Sequence, residues 1–205
     1  GLTNVVRTVK EYERAGIAGI CVEDNVFPKR NSLYQGESKR ELIPLAEQVR
    51  RIQAAKKAQE TKEFVFIARV EALIAGHGVA EACRRADAFA EAGADAILIH
   101  SKDKTLREIE GFLSEWQGKG KIPLVAVPTL YPTFTIEQLH EKGFQMIILA
   151  NQPMRAAVKA MEDTLKTLKE KRNAAAVDGM IAPVNHIFEL VKTKETIELE
   201  EKFAA

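Results

Sequence analysis

The sequence has no excess of charge of either sign. Its 205 residues carry 30 Lys and Arg against 29 Asp and Glu, a formal net charge of +1. A chain that holds nucleic acid or an anionic membrane by charge shows a basic excess or stripe, so neither partner is expected. No apolar run approaches the ~20 residues that a membrane-spanning helix needs. The cysteines, Cys21 and Cys83, are too few for a disulfide scaffold and fit a reducing compartment such as the cytoplasm. Both read as small buried side chains rather than nucleophiles. There is no Walker loop, no G-x-G-x-x-G, no paired-cysteine metal motif and no G-x-S-x-G, which removes those routes to nucleotide, zinc and acyl chemistry. Signal-peptide features are missing. An initiating Met is missing too: the chain opens Gly1-Leu2-Thr3-Asn4 and runs at once into a helical pattern. That opening reads as the continuation of a longer protein.

What is present is a repeat. A helix ends near glycine, a short apolar run follows, and the run stops at polar residues. It occurs over Gly16 to Asp24, Gly93 to Ser101 and Gly143 to Asn151. Glycine suits a left-handed helix cap. Continuous runs rich in Ile and Val read as strands buried on both faces, as in parallel sheets. Two further runs, Phe64 to Glu71 and Pro123 to Thr129, lack the leading glycine. Amphipathic helices lie between them. Ala82, Cys83, Ala86 and Phe89 share one face, as do Leu106, Ile109, Leu113 and Trp116. Capping boxes are expected at Ser38 with Glu41, Thr105 with Glu108 and Thr135 with Gln138. Pro153 opens a long helix with Met154, Ala157, Val158, Met161, Leu165 and Leu168 in its stripe. A second closing helix, from Pro183, is expected to turn Ile187, Leu190 and Val191 inward. The order is helix–strand repeated, then two helices. One long polar connection, from Asn25 to about Gly36, follows the first strand; loops of that length are usually functional.

Parallel strands of this kind form either an open doubly wound sheet or part of a barrel. Polar residues stand at the carboxyl end of nearly every strand: Glu23-Asp24, Arg69 with Glu71, His100-Ser101, Thr129 and Asn151. An open sheet binds at one crevice, so polar ends all along favour a barrel. Carboxylates ending a buried strand are costly without water, a cation or a partner. Glu23 and Asp24 therefore either meet a hard divalent cation such as Mg²⁺ or anchor the loop that follows. Arg69 either forks onto an anionic group or pairs with Glu71 or Glu23. His100 can donate to the same anion. His77, His140 and His186 read as structural.

Three blocks, Glu23-Asp24-Asn25-Val26-Phe27-Pro28-Lys29-Arg30-Asn31-Ser32, Ile67 to Gly76 and Gly93 to Lys102, resemble the phosphoenolpyruvate mutase family of the isocitrate lyase superfamily. The likeness runs from Gly1 to about Val191. It implies a (β/α)₈ barrel of which this chain supplies the fourth strand onward, in a domain over 1–192 followed by a charged tail over 193–205. The family's C-terminal helices are swapped between subunits, which implies a homodimer or homotetramer. The implied activity is Mg²⁺-dependent interconversion of phosphoenolpyruvate and 3-phosphonopyruvate, the carbon–phosphorus bond-forming entry to phosphonates. By the same likeness Glu23 contacts Mg²⁺ through water, with the other ligands upstream of Gly1. Arg69 and His100 bind the phosphoryl group. Lys29, Asn31 and Ser32 lie on a gating loop, with Asn31 against the migrating group. The Lys-x-Cys-Gly-His stretch of isocitrate lyases is absent. Phosphonopyruvate hydrolases resemble the chain as well but carry threonine where Asn31 stands, so Asn31 favours mutase. A fragment that binds anions without catalysis is the remaining alternative.

Overall fold

Helix and strand alternate from the first residues in the order α1 (Leu2–Arg14), β1 (Gly19–Glu23), α2 (Leu45–Ala58), β2 (Val65–Val70), α3 (Gly78–Glu91), β3 (Ala96–Ile99), α4 (Arg107–Glu115), β4 (Leu124–Ala126), α5 (Ile136–Glu141) and β5 (Met146–Ile147). The computed structural model describes residues 1–32 and 40–204. It divides into a unit over 1–150 and a unit over 151–205.

The strands of the first unit form one parallel sheet in the order β1-β2-β3-β4-β5. An open doubly wound sheet reverses its order at a switch point. Here the order never reverses, and each helix packs on the next, α1 on α2, α2 on α3 and α3 on α4. Helices α1 to α4 therefore cover one face, as in a barrel wall, and Leu139 of α5 joins the same core.

Strand alternation sorts the side chains between the two faces. Ile20, Phe66, Ala68, Val70, Ile97, Ile99, Leu124 and Ala126 meet the helices in the main core. Ile52 and Ala55 of α2 and Ala82, Ala86 and Phe89 of α3 meet them there. On the other face Ile67, Ala96, Leu98 and Val125 make a smaller cluster. Burial on both faces is complete for β3 and β4. At the two ends of the sheet it is not: Cys21 of β1 and Met146 of β5 are exposed. The expectation of a buried Cys21 is thereby corrected, because it lies on the non-helical face of an end strand.

Gly19 shows how closely β1 approaches β2. A Cβ there would lie 2.4 Å from the Val65 carbonyl oxygen. Both atoms are backbone-fixed, so the strands must separate to admit it. Gly19→Ala is expected to cost about 1–3 kcal/mol, read as a lower urea midpoint. An unchanged midpoint would contradict the packing described.

Thr135 forms the expected capping box with Gln138. Thr105 does not cap α4. That helix begins at Arg107 after Leu106 at φ 67°, and the Thr105 N–H and hydroxyl both donate to Asp103 Oδ1. Asp103 thus offers a local turn that outcompetes the cap. Glu108 instead accepts from Ser101. The box expected at Ser38 lies outside the described residues.

The second unit holds α6 (Gln152–Lys171), a 3₁₀ helix (Ala174–Met180), α7 (Val184–Leu190) and α8 (Thr193–Phe203). Three α-helices follow the sheet, one more than expected. The 3₁₀ helix packs on α6. The α6 stripe does not form a core: Met154, Val158, Met161 and Leu165 are exposed, as are Ile187, Leu190 and Val191. The inward turn expected of the last three is corrected. Val177 is the one buried residue among the described residues of this unit. No helix among the described residues is long and apolar enough to cross a membrane.

Candidate active site

Alternation places the site. On β1 and β2 the register sets Glu23 beside Arg69, and Arg69 beside Leu98 of β3. Glu23, Arg69 and Leu98 therefore share the non-helical face, and His100, two residues after Leu98, follows at the same edge. The expected residues Glu23, Arg69 and His100 are thus neighbours at the carboxyl edge of the sheet. Asp24, one residue on, points the other way.

Arg69 is the centre of this edge. Its Nε donates to Glu71 Oε1 at 2.5 Å. Its Nη2 donates to Ser32 Oγ at 2.9 Å, lies 2.8 Å from His100 Nδ1 and pairs with Glu23 Oε2 at 3.6 Å. Both pairings weighed for Arg69 thus occur together. Nη1 takes part in none of these contacts.

Glu71 and His100 lie behind it. Glu71 is fully buried and His100 is buried. His100 Nδ1 stands 2.8 Å from Glu71 Oε1, and Ser32 Oγ donates to Glu71 Oε2 at 2.8 Å. Burial by itself raises the pKa of a carboxyl group. At Glu71 the hydrogen bond from His100 and the charge of Arg69 outweigh burial and bring it down to about 2. Glu71 is therefore ionised wherever the protein is folded near neutrality.

Asp24 anchors rather than reacts. Its Oδ1 accepts the Glu71 N–H at 2.9 Å, and its Oδ2 accepts from Arg85 Nη1 at 3.0 Å. The same Arg85 atom donates to the Ile43 carbonyl, also at 3.0 Å. Burial pushes the Asp24 carboxyl above its ordinary value, opposed by the Glu71 N–H and Arg85. Of the two alternatives for this residue, the structure shows the anchor.

The loop after β1 is pinned at its base. Val26 N–H donates to the Glu41 carbonyl and Ile43 N–H to that of Asp24, an antiparallel bridge between Asn25 and Leu42. Lys29 extends from the loop to Glu23 Oε1 at 3.1 Å. Ser32 is buried against Arg69 and Glu71. Asn31 is exposed, and its carbonyl accepts from Arg40 at 2.6 Å. The structure thus gathers Glu23, Lys29, Ser32, Arg69 and His100, with Asn31 next in chain to the last loop contact. His77 is exposed at the N-cap position of α3 without a side-chain capping bond, His140 bonds the Phe144 carbonyl, and His186 sits beside Glu189.

Sequence reasoning gave too little weight to two residues here. Glu71 appeared only as one possible partner of Arg69, whereas it joins Arg69, His100 and Ser32. Arg85 was not singled out. Its signal was visible: an arginine between Ala82 and Phe89, beside Ala86 on the apolar face of α3, needs a buried partner.

Glu23 is the residue of this edge that fits a metal role. Its side chain is 14% exposed, and Oε2 accepts no hydrogen bond. A metal-bound water would satisfy that oxygen. Among the described residues no group of three or more His, Cys, Asp or Glu is placed to hold a metal ion. The fit is therefore to one contact through water and not to a complete ligand set.

A family model described as phosphoenolpyruvate phosphomutase matches residues 1–169. The phosphoenolpyruvate phosphomutase of Tetrahymena pyriformis is 43% identical over 200 residues, 98% of this chain and 66% of that protein. The phosphonopyruvate hydrolase of Variovorax sp. (strain Pal2) is 44% identical over 190 residues, 91% of this chain and 64% of its own. The crystal structure of the phosphoenolpyruvate phosphomutase from Streptomyces platensis subsp. rosaceus superposes with a TM-score of 0.93 at 40% identity, covering 100% of this chain and 70% of that one. A phosphonopyruvate hydrolase crystallised as a complex with oxalate and Mg²⁺ gives 0.88 at 39% identity, covering 100% and 69%. The chain spans about two thirds of the length of these relatives. It belongs to the phosphoenolpyruvate phosphomutase family, and its sheet is a section of that family's TIM-barrel-like fold.

Proposed function

We propose that the protein is a phosphoenolpyruvate mutase, interconverting phosphoenolpyruvate and 3-phosphonopyruvate with Mg²⁺. The observation that carries this reading is the Arg69–His100 pair at the strand edge, with Arg69 Nη2 also 3.6 Å from Glu23 Oε2 and Nη1 outside these contacts. An arginine fork next to a buried histidine suits a phosphoryl or phosphonate group.

The reaction breaks the bond from phosphorus to carbon and makes one from phosphorus to the enolate oxygen, with no atom gained or lost. Arg69 and His100 hold the phosphoryl oxygens while phosphorus changes partner, which stabilises charge in transit. Asn31 meets the same group from the loop. Ser32 fastens that loop to Arg69 and Glu71, so closure excludes the water that would otherwise capture the phosphoryl group. Glu23 would hold Mg²⁺ through a water on Oε2, with its other oxygen neutralised by Lys29. When bound, Mg²⁺ supplies Lewis-acid stabilisation of charge on the pyruvate oxygens; a hydrolase of this family binds it with oxalate. The exposed apolar residues of α6 and α7 support helix exchange with a second subunit, in a homodimer or homotetramer.

Phosphonopyruvate hydrolysis is the second reading, favoured by the 44% identity to the Variovorax enzyme. Asn31 separates the two. Asn31→Thr is expected to raise the ratio of free phosphate to phosphoenolpyruvate by roughly 10-fold, the effect of one well-placed hydrogen bond of charged type. Phosphorus NMR of the products reads the ratio, and an unchanged ratio removes this ground for preferring mutase. Full-length protein that leaves phosphonopyruvate untouched would support the non-catalytic alternative.

A further inference from the structure

We propose that Glu71 is the positioning residue of this site: its carboxylate gathers Arg69, His100 and the loop residue Ser32 into one anion clamp. The assignment rests on the reading of Arg69 and His100 as phosphoryl-binding groups.

The argument is one of donors and acceptors. Glu71 is fully buried at the end of β2, where an ionised carboxylate can only accept. Oε1 takes Arg69 Nε and lies 2.8 Å from His100 Nδ1. Oε2 takes Ser32 Oγ and stands 3.5 Å from Asn25 Nδ2. His100 Nδ1 also lies 2.8 Å from Arg69 Nη2. Arginine has no lone pair to offer, so Nδ1 cannot donate to Glu71 and accept from Arg69 at once. A buried carboxylate is stabilised by each donor it gains, whereas Arg69 Nη2 already has Ser32 Oγ as acceptor. Nδ1 therefore carries the proton and points it at Glu71. The ring is locked with Nε2 turned away from Glu71, and the guanidinium is held by Nε with Nη1 left over. Ser32 closes the circuit, since its hydroxyl donates to Glu71 and accepts from Arg69. The loop's contact with the clamp is thus made through the residue that aims it. Glu71 touches no substrate in this scheme; it acts through the three groups it holds.

Glu71→Gln keeps the shape but replaces one acceptor oxygen with a donor. With the amide nitrogen in the Oε1 place, both Arg69 Nε and His100 Nδ1–H face N–H; in the Oε2 place, the Ser32 hydroxyl and Asn25 Nδ2 lose their acceptor. The test is calorimetric binding of inorganic phosphate to full-length wild type, Glu71→Gln and Glu71→Asp. The expected result is affinity reduced roughly 10- to 100-fold in the glutamine variant and partly restored by aspartate, which returns the charge. Wild-type affinity in Glu71→Gln overturns the assignment, as does failure of phosphate to bind the wild type or equal loss in both variants. Nitrogen NMR of histidine-labelled wild type needs no variant: a protonated His100 Nδ1 is expected, and a bare Nδ1 overturns the assignment. Phosphonopyruvate turnover is measured separately. Its absence in protein that binds phosphate as described would sink the mutase reading and leave Glu71 standing.

Discussion

Arg69→Ala is expected to lower phosphonopyruvate turnover by roughly 1,000-fold, the upper range for removing one preorganised donor to a developing anion. Arg69 is the cation around which the edge is built: Glu71, Glu23, Ser32 and His100 all lie within 3.6 Å of its guanidinium. Alanine leaves the phosphoryl charge without its fork. It also leaves Glu71 buried without its nearest partner, at a stability cost of about 3–5 kcal/mol. The two effects are separated by Arg69→Lys. Lysine restores a charge near Glu71 and recovers stability, but it cannot fork and so recovers little turnover. Phosphorus NMR of phosphoenolpyruvate formation and urea unfolding on the three proteins read both. Near-normal turnover in Arg69→Ala would refute the clamp.

Arg85→Met is expected to destabilise the protein by about 3–5 kcal/mol, because it strands a buried carboxylate. Asp24 is fully buried and Arg85 is 6% exposed. The pair ties the end of β1 to α3, and the Ile43 carbonyl ties the foot of the loop to the same guanidinium. Asp24 also holds the Glu71 N–H, so the anchor sits directly under the clamp. Removing both charges is less costly than removing one. The double variant Asp24→Asn with Arg85→Met is therefore expected to unfold at higher urea than Arg85→Met alone. A single variant within about 0.5 kcal/mol of wild type would contradict the anchor; that is the range of ordinary surface substitutions.

Much of this arrangement was legible in the sequence because local rules decided it. The Ile- and Val-rich runs became strands, and the glycines at 16, 93 and 143 took the positive φ that ends the preceding helix. Polar ends on successive strands placed Glu23, Arg69 and His100 at one edge, since a parallel sheet brings equivalent positions together. Alternation also implied that Glu23 and Asp24 point to opposite faces, though not which of the two anchors. What was not legible depends on partners distant in sequence. Thr105 offered a good cap, but Asp103 held its hydroxyl. Cys21 lies in an apolar run, yet its exposure depends on what lies beside β1, which no local pattern records. The stripe of α6 correctly marked an amphipathic helix without saying what covers it. Glu71 looked like one more partner for Arg69; its grip on Ser32 and His100 spans 39 and 29 residues of chain.

The central claim is that this edge moves a phosphoryl group between carbon and oxygen of one substrate. A phosphorus NMR time course with full-length protein, Mg²⁺ and phosphonopyruvate tests it most directly. The account predicts growth of the phosphoenolpyruvate resonance as the phosphonate signal falls. Growth of free phosphate with no phosphoenolpyruvate at any time would contradict it.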